Sequence, residues 1–401
     1  MAIILLVMAG CATGSKIVGS QHDGNILIDV TESYSKKELI LQDFMDVEYI
    51  PLETNNEFVC QGFVEDIGKE FILVKNDIQN DNGDIYVFDR SGKAVRIINR
   101  FGRGGEEYEK HSTIILDEDN QEIFVNSQRK MMVYDMTGKF KRSFNFGDEN
   151  VLYTNINNFD ENHLICEISD FSNFAPASIF QNMHDYNDDK KPITANKQII
   201  LIISKQDGKI VREISFFIKE RKSARIWKPM DGGGWQMTSP GGYESKIIPY
   251  RNSWVLPQIS CDTVYRLFTD YSTSPFIVRT PSIQSMNTEI FLLPQSFTER
   301  YWFMQTLKKI ESMPKINLVY DTQENAIFEC VVYNDDYSDK ENGKVFMGYP
   351  KNDEIAVCQK IEADALYEAY HKGQLKGKLK EVAATLEEES NPVIMLIKYK
   401  K

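Results

Sequence analysis

The residue types able to do chemistry are few in this chain, and their spacing is loose. Five histidines, His22, His111, His163, His184 and His371, form neither an HxH nor an HExxH pair, so the arrangement that brings two imidazoles to one metal is missing. They are expected at surface or turn positions. No Gly-x-Ser-x-Gly stretch is present to hold a nucleophilic serine. Asp77 to Asp84 carries oxygen-bearing side chains around Gly83, as a calcium loop would, but alignment on that glycine puts Ile78 in the first ligand position. A solvated hairpin loop is expected there. Gly102-Arg103-Gly104-Gly105 resembles a phosphate cradle, yet no helix follows whose amino end would hold the anion. Simple turn geometry is expected, with Arg103 available to a carboxylate where the turn lines a central mouth. The better candidates for recognition are Trp227, Trp235 and Tyr243, on a stretch loosened by Gly232-Gly-Gly234 and Gly241-Gly242. Such rings stack on sugars or on peptide side chains, or else cover the end of a sheet. No catalytic residue, metal ligand or cofactor site is expected.

The elements that must position these residues are repeated. Asp84-Ile-Tyr-Val-Phe-Asp89 leads into Arg-Ser-Gly92-Lys93 and Val95 to Phe101, and Met131-Met-Val-Tyr-Asp135 leads into Met-Thr-Gly138-Lys139 and Phe140 to Phe146. Asp89 and Asp135 stand 46 residues apart, the period of a propeller blade. Each copy reads as two antiparallel strands joined by a tight turn, in which the aspartate accepts backbone hydrogen bonds and glycine supplies positive φ. A third copy, Gly208-Lys209 followed by Ile210 to Phe216, keeps the glycine and lysine. Apolar residues at successive positions, as in Ile85 to Phe88, mark strands covered on both faces. Counting such runs predicts an all-β, six-bladed β-propeller of four-stranded antiparallel blades over residues 25–401, with insertions at 170–196 and 219–245. Glu289 to Val332 fills the fifth blade, and Lys344 to Met347 with Glu354 to Cys358 begins the sixth. Leu375, Leu379, Val382 and Leu386 recur at helical spacing and predict one helix over 362–389 packed on the ring. Val393 to Ile397 is the last strand. An amino-terminal strand such as Ile26 to Val30 completing its blade would close the ring and remove open sheet edges.

Composition excludes some partners. The chain has 401 residues and a formal net charge of −13, which repels phosphate backbones, so no nucleic acid is expected. Residues 1–24 read as a signal segment and tether: Ala2 to Gly10 is uncharged and apolar, too short to span a bilayer, and Cys11 follows at once. Met8-Ala9-Gly10-Cys11 resembles a bacterial lipobox, which implies lipidation of Cys11. Met stands where Leu is commoner, and no Lys or Arg precedes the apolar run, so the true start is expected upstream. The other cysteines, Cys60, Cys166, Cys261, Cys330 and Cys358, show no metal-ligand spacing and are expected as small core residues.

With the repeats, Phe101-Gly-x-Gly-Gly-Glu-x-Tyr108, the lipobox-like Cys11 and the terminal Asn391-Pro392 strand together, the chain resembles the six-bladed β-propeller lipoproteins of Bacteroides and their relatives, which are similar to NHL-repeat propellers. The resemblance implies a cell-envelope lipoprotein anchored in the membrane, and the residues after Cys11 lean toward the periplasmic face of the outer membrane. The function expected is that of a monomeric scaffold binding a protein partner or a glycan. The alternative is a metal-dependent propeller hydrolase or lyase, lactonase-like, with carboxylate ligands at the ring axis. A structural or assembly role is a third possibility.

Overall fold

The computed structural model describes residues 25–76, 82–109, 111–127, 129–146, 151–170, 196–240 and 246–400. Their strands form a six-bladed β-propeller. Blade 1 comprises Phe63–Ile67, Phe71–Lys75, Asp84–Asp89 and Ala94–Asn99, and blade 2 comprises Thr113–Asp117, Glu122–Ser127, Lys130–Asp135 and Phe140–Asn145. Blade 3 runs from Val151–Asn158 through His163–Asp170 and Lys197–Ser204 to Ile210–Phe217, and blade 4 from Ile248–Pro249 through Ser253–Leu256 and Thr263–Phe268 to Thr273–Thr280. Blade 5 is Ile290–Phe297, Tyr301–Lys308, Lys315–Asp321 and Ala326–Tyr333. Blade 6 joins the chain ends: Ile355–Ile361 pairs with Val393–Tyr399, which pairs with Met45–Pro51.

The successive apolar positions do what two-sided burial requires. In blade 1, Ile72, Val74, Tyr86 and Phe88 fill the seam with blade 6, while Leu73, Ile85 and Val87 from the same strands fill the seam with blade 2. A strand's side chains alternate between faces, so a continuous apolar run feeds two cores at once. Every seam around the ring has its own cluster of this kind, which is why the sheets are stable only as a closed set.

The repeated turn is held by its aspartate. Asp89 Oδ1 accepts from Ser91 N at 2.8 Å, Ser91 Oγ at 2.6 Å and Lys93 N at 3.0 Å, and Asp135 Oδ1 accepts from Thr137 N, Thr137 Oγ1 and Lys139 N at 2.8, 2.6 and 3.0 Å. Gly92 and Gly138 adopt φ of 87° and 84°. A second demand falls on the same glycines. A Cβ on Gly92 would come within 2.2 Å of the Pro51 carbonyl oxygen, and one on Gly138 within 2.8 Å of Ile98, because each turn presses on the outer strand of the preceding blade.

Closure differs from the expectation. Ile26–Asp29 does not complete the last blade but lies parallel to the outer strand of blade 4, and Lys36–Ile40 lies parallel to that of blade 5. The closing strand is Met45–Pro51, paired along its whole length with Val393–Tyr399. Only alternate residues of the first strand, Ile26 and Ile28, are buried, a pattern that suits an edge resting on one seam. Residues 26–51 thus form a belt along three consecutive blades. Lys344–Val345 adds to the edge of blade 5 rather than beginning blade 6. Residues 346–351 then run back along Ile355–Ile361, with Gln359 Nε2 donating to Phe346 O at 2.8 Å and Lys351 N to Ile355 O at 2.9 Å.

Two helices, Ala363–His371 and Gly377–Ala383, stand where the periodicity predicts one. The break falls at Gly373 and Gly377, whose φ of 69° and 51° leave the right-handed helix. Leu366, Leu379 and Leu386 bury themselves in the seam of blades 5 and 6. No helix among the described residues is long and apolar enough to cross a membrane.

Candidate functional site

The face on which the inner strands of blades 1 to 5 begin, here called upper, receives both the connections between those blades and the connections from second to third strands. The helical segment also leaves from this face. Lys360, near the end of Ile355–Ile361, sits 4.2 Å over the Phe63 ring at the upper end of blade 1, whereas Asn352 before that strand donates to Ile67 O at the lower end.

Arg103 lies on the upper face, in the connection from blade 1 to blade 2, and is exposed. The glycines around it make room for a carboxylate from their own loop. Gly104 N donates to Glu107 Oε2 at 2.7 Å, and a Cβ on Gly102 would fall 2.0 Å from that oxygen, so the anion that this cradle holds is Glu107. The loop is tied down by Lys130 Nζ to Gly105 O, Tyr134 Oη to Glu106 O and Tyr108 Oη to Gly83 O, at 3.0, 2.9 and 2.6 Å. Two of these partners, Lys130 and Tyr134, belong to the third strand of blade 2, well out from the axis.

Trp227 and Trp235 lie on a hairpin of Ile226–Pro229 and Trp235–Thr238, in the connection from blade 3 to blade 4. Its tip is Gly232 to Gly234, all with φ between 94° and 98°. In the register Trp227 opposes Met237 and Pro229 opposes Trp235, which places these four on one face of the hairpin. Ile226 and Lys228 occupy the other face. Ile226 packs with Ile283, Phe291 and Met313, and Lys228 Nζ lies 2.6 Å from Glu311 Oε1, so this second face rests on blade 5. Lys315 Nζ adds a bond to Pro240 O at 3.3 Å. The tryptophan face is therefore turned outward, with Trp227 half-buried, Trp235 36% exposed and Met237 47% exposed. The two tryptophans share a surface, and the contacts of the Arg103 loop, confined to blades 1 and 2, do not bring it to them. Tyr243 and Cys11 lie outside the described residues, as do His22 and His184.

At the axis the chain places groups that no sequence motif announced. Lys75 Nζ lies 3.1 Å from Glu65 Oε1, and Lys351 Nζ donates to Val64 O and Glu65 O, both at 2.9 Å. Lys246, just before the inner strand of blade 4, holds its ammonium 5.1 Å over the Tyr349 ring. Burial, then the charge of Lys351, lowers the pKa of Lys246 against the pull of Glu65. Their signal in the sequence is weak, a lysine standing at either end of an apolar run. His111, expected at the surface, is instead buried at the Tyr108 ring. Among the described residues no group of three or more His, Cys, Asp or Glu is placed to hold a metal.

Next along the same inner strand, Asp66 accepts from Leu116 N at 2.8 Å and Ile67 N at 2.9 Å, and burial outweighs these bonds to push its carboxyl up to about 6. A carboxyl raised above its unfolded value makes the folded state hold a proton that the unfolded chain has lost, so stability falls as pH rises from about 4 to about 6. Asp66→Asn removes this titration. Its unfolding free energy relative to wild type should rise by ~2 kcal/mol from pH 4 to pH 7 in urea denaturation, water at the partly exposed edge holding the change below the full value. A difference that is flat across this range would refute the assignment.

The ring and its decorated face define a six-bladed β-propeller. Residues 25–398 match the profile of a domain of unknown function, DUF4934, and the chain belongs to that family. Among solved structures it is similar to a Bacteroides fragilis protein whose name marks it as exported, at 17% identity and a TM-score of 0.54, covering 94% of this chain and 100% of that one. It also resembles a member of the DUF4221 family from Bacteroides vulgatus, at 10% identity and a TM-score of 0.45, covering 89% of this chain and 97% of that one. A streptogramin B lyase follows at 11% identity and a TM-score of 0.33, covering 88% and 98%. No curated protein matches the sequence.

Proposed function

We propose that this protein is an exported, lipid-anchored component of the bacterial cell envelope whose upper face binds a glycan or a protein partner. The observation that carries the reading is the outward face of the hairpin, where two indole rings are presented on a two-stranded support packed onto blade 5. Flat rings held this way offer stacking area at little cost in side-chain entropy, the property that sugar rings and planar side chains exploit. Loops on a rigid scaffold are where recognition is usually built. The axis, by contrast, presents ammonium groups around Glu65, and the ligand set of a metal-dependent hydrolase or lyase is not found among the described residues. The apolar run ending at Cys11 supports the anchor, and the name of the Bacteroides fragilis neighbour is in keeping with export.

The test compares wild type with Trp235→Ala on a glycan panel and in pull-downs from envelope extracts. Binding by the wild type that the variant loses supports the platform. Because Trp235 is exposed, its replacement should leave unfolding free energy within about 0.5 kcal/mol of wild type, so lost binding is not lost folding. No binding in either format, or equal binding by the variant, would end this reading. Separately, Cys11→Ala should move the protein from the membrane fraction to the soluble envelope fraction, and unchanged partitioning would remove the anchor.

A further inference from the structure

In a ring of six, blades 1 and 4 stand opposite each other, and side chains from both meet at the axis with those of blade 6. There the chain gathers three ammonium groups beside two carboxylates, Glu65 and Asp66. Lys75 neutralises Glu65 at 3.1 Å, and Lys351 bonds the backbone carbonyls of Val64 and Glu65, which accept hydrogen bonds but supply no countercharge. Lys246, from the opposite blade, has the Tyr349 ring beneath it at 5.1 Å and no carboxylate within ion-pair distance among the described residues. Asp66 directs its oxygens to the amides of Ile67 and Leu116 and lies in the field of Lys351, so three ammonium groups face two carboxylates and the excess is cationic. Local cationic excess is the more telling in a chain whose net charge is −13.

We propose that this axial cluster is an oxyanion site, taking a carboxylate, phosphate or sulfate group of a ligand at Lys246 and Lys351 beside Tyr349. The Lys246 side chain is reachable from solvent, while burial around its ammonium and the charge of Lys351 disfavour the charged form. An anion lodged there relieves both penalties, and charge-assisted hydrogen bonds in such an enclosed position are about twice as strong as neutral ones. The site is separate from the tryptophan platform and stands whether or not that platform binds anything.

The test measures thermal unfolding and calorimetric binding of the full chain with sodium phosphate, galacturonate, neutral galactose, and sodium chloride at matched ionic strength. Phosphate or galacturonate should raise the melting temperature where chloride and galactose do not. Tighter binding of galacturonate assigns the site to an acidic sugar, and tighter binding of phosphate to an inorganic oxyanion or a phosphoryl group. Lys246→Gln should weaken the effect about tenfold, while Lys378→Gln, at an exposed helix cation, leaves it unchanged. Phosphate should also slow acetylation of Lys246 by acetic anhydride, read by mass spectrometry on the unmutated protein. An anion effect equal to that of chloride, or one that survives Lys246→Gln undiminished with no protection of Lys246, would overturn the proposal.

Discussion

Gly92→Ala should lower the unfolding free energy by about 4 kcal/mol, far more than an alanine introduced at an exposed glycine. Two costs combine at this position. Backbone at φ 87° is strained for any residue with a Cβ, to the extent of about 1–2 kcal/mol. The new methyl group would in addition stand 2.2 Å from the Pro51 carbonyl oxygen and 2.8 Å from Ile50 Cγ2, and neither belongs to a flexible side-chain end that can swing aside. Relief requires moving the closing strand of blade 6 away from blade 1. Gly233→Ala is the control, because its φ is 94° and nothing lies within 4 Å of the added carbon. It should cost only the conformational part, about 1 kcal/mol. Equilibrium denaturation of both variants separates the terms, and equal losses would mean that the seam between blades 6 and 1 is looser than the geometry states.

Asp321→Asn should cost about 3 kcal/mol at neutral pH and should also change how the protein responds to acid. The Asp321 side chain is fully buried at the turn between the last two strands of blade 5. Lys37 Nζ from the belt reaches Oδ2 at 2.7 Å, and Arg300 grips the carboxylate through Nε and Nη2 at 3.1 and 2.9 Å. Burial alone would raise this carboxyl, but Arg300 and then Lys37, with the amides of Glu324 and Gln323, hold it down to about 2. A carboxyl depressed below its unfolded value of about 3.9 contributes stability that is whole above that pH and drains away as pH falls toward 2. The contribution is ~2 kcal/mol after allowance for the exposed flank of Arg300. The gap between wild type and variant, measured by urea unfolding, should therefore narrow by about two thirds of that amount between pH 5 and pH 2.5. A gap independent of pH would contradict the ion-paired assignment.

Much of the ring was legible because local chemistry and tertiary packing ask for the same residues. Asp89 and Asp135 are needed by their turns, and Gly92 and Gly138 by both the turn and the seam, so the repeat is written twice over at each site. What was not legible depends on partners distant in the chain. Ile26–Asp29 and Met45–Pro51 are both short apolar strands, and nothing local states that the second pairs with Val393–Tyr399. The glycines flanking Arg103 read as a cradle because the sequence does not reveal that Glu107 folds back into it. The tryptophan pair was visible as composition, but its shared face follows from a register that only the hairpin supplies. Lys246 and Lys351 are ordinary surface letters until the ring brings opposite blades together.

The belt has a consequence for the order in which the molecule is made. Residues 26–51 are made before any blade is complete, yet the strands with which they pair are synthesised some 250 to 350 residues later. Until then these strands have no hydrogen-bonding template, and Val393–Tyr399 supplies the final one. Pairings this remote in sequence are slow to find and leave unpaired edges exposed meanwhile. Loss of Val393–Tyr399 would therefore unlatch Met45–Pro51 and Ile355–Ile361 together.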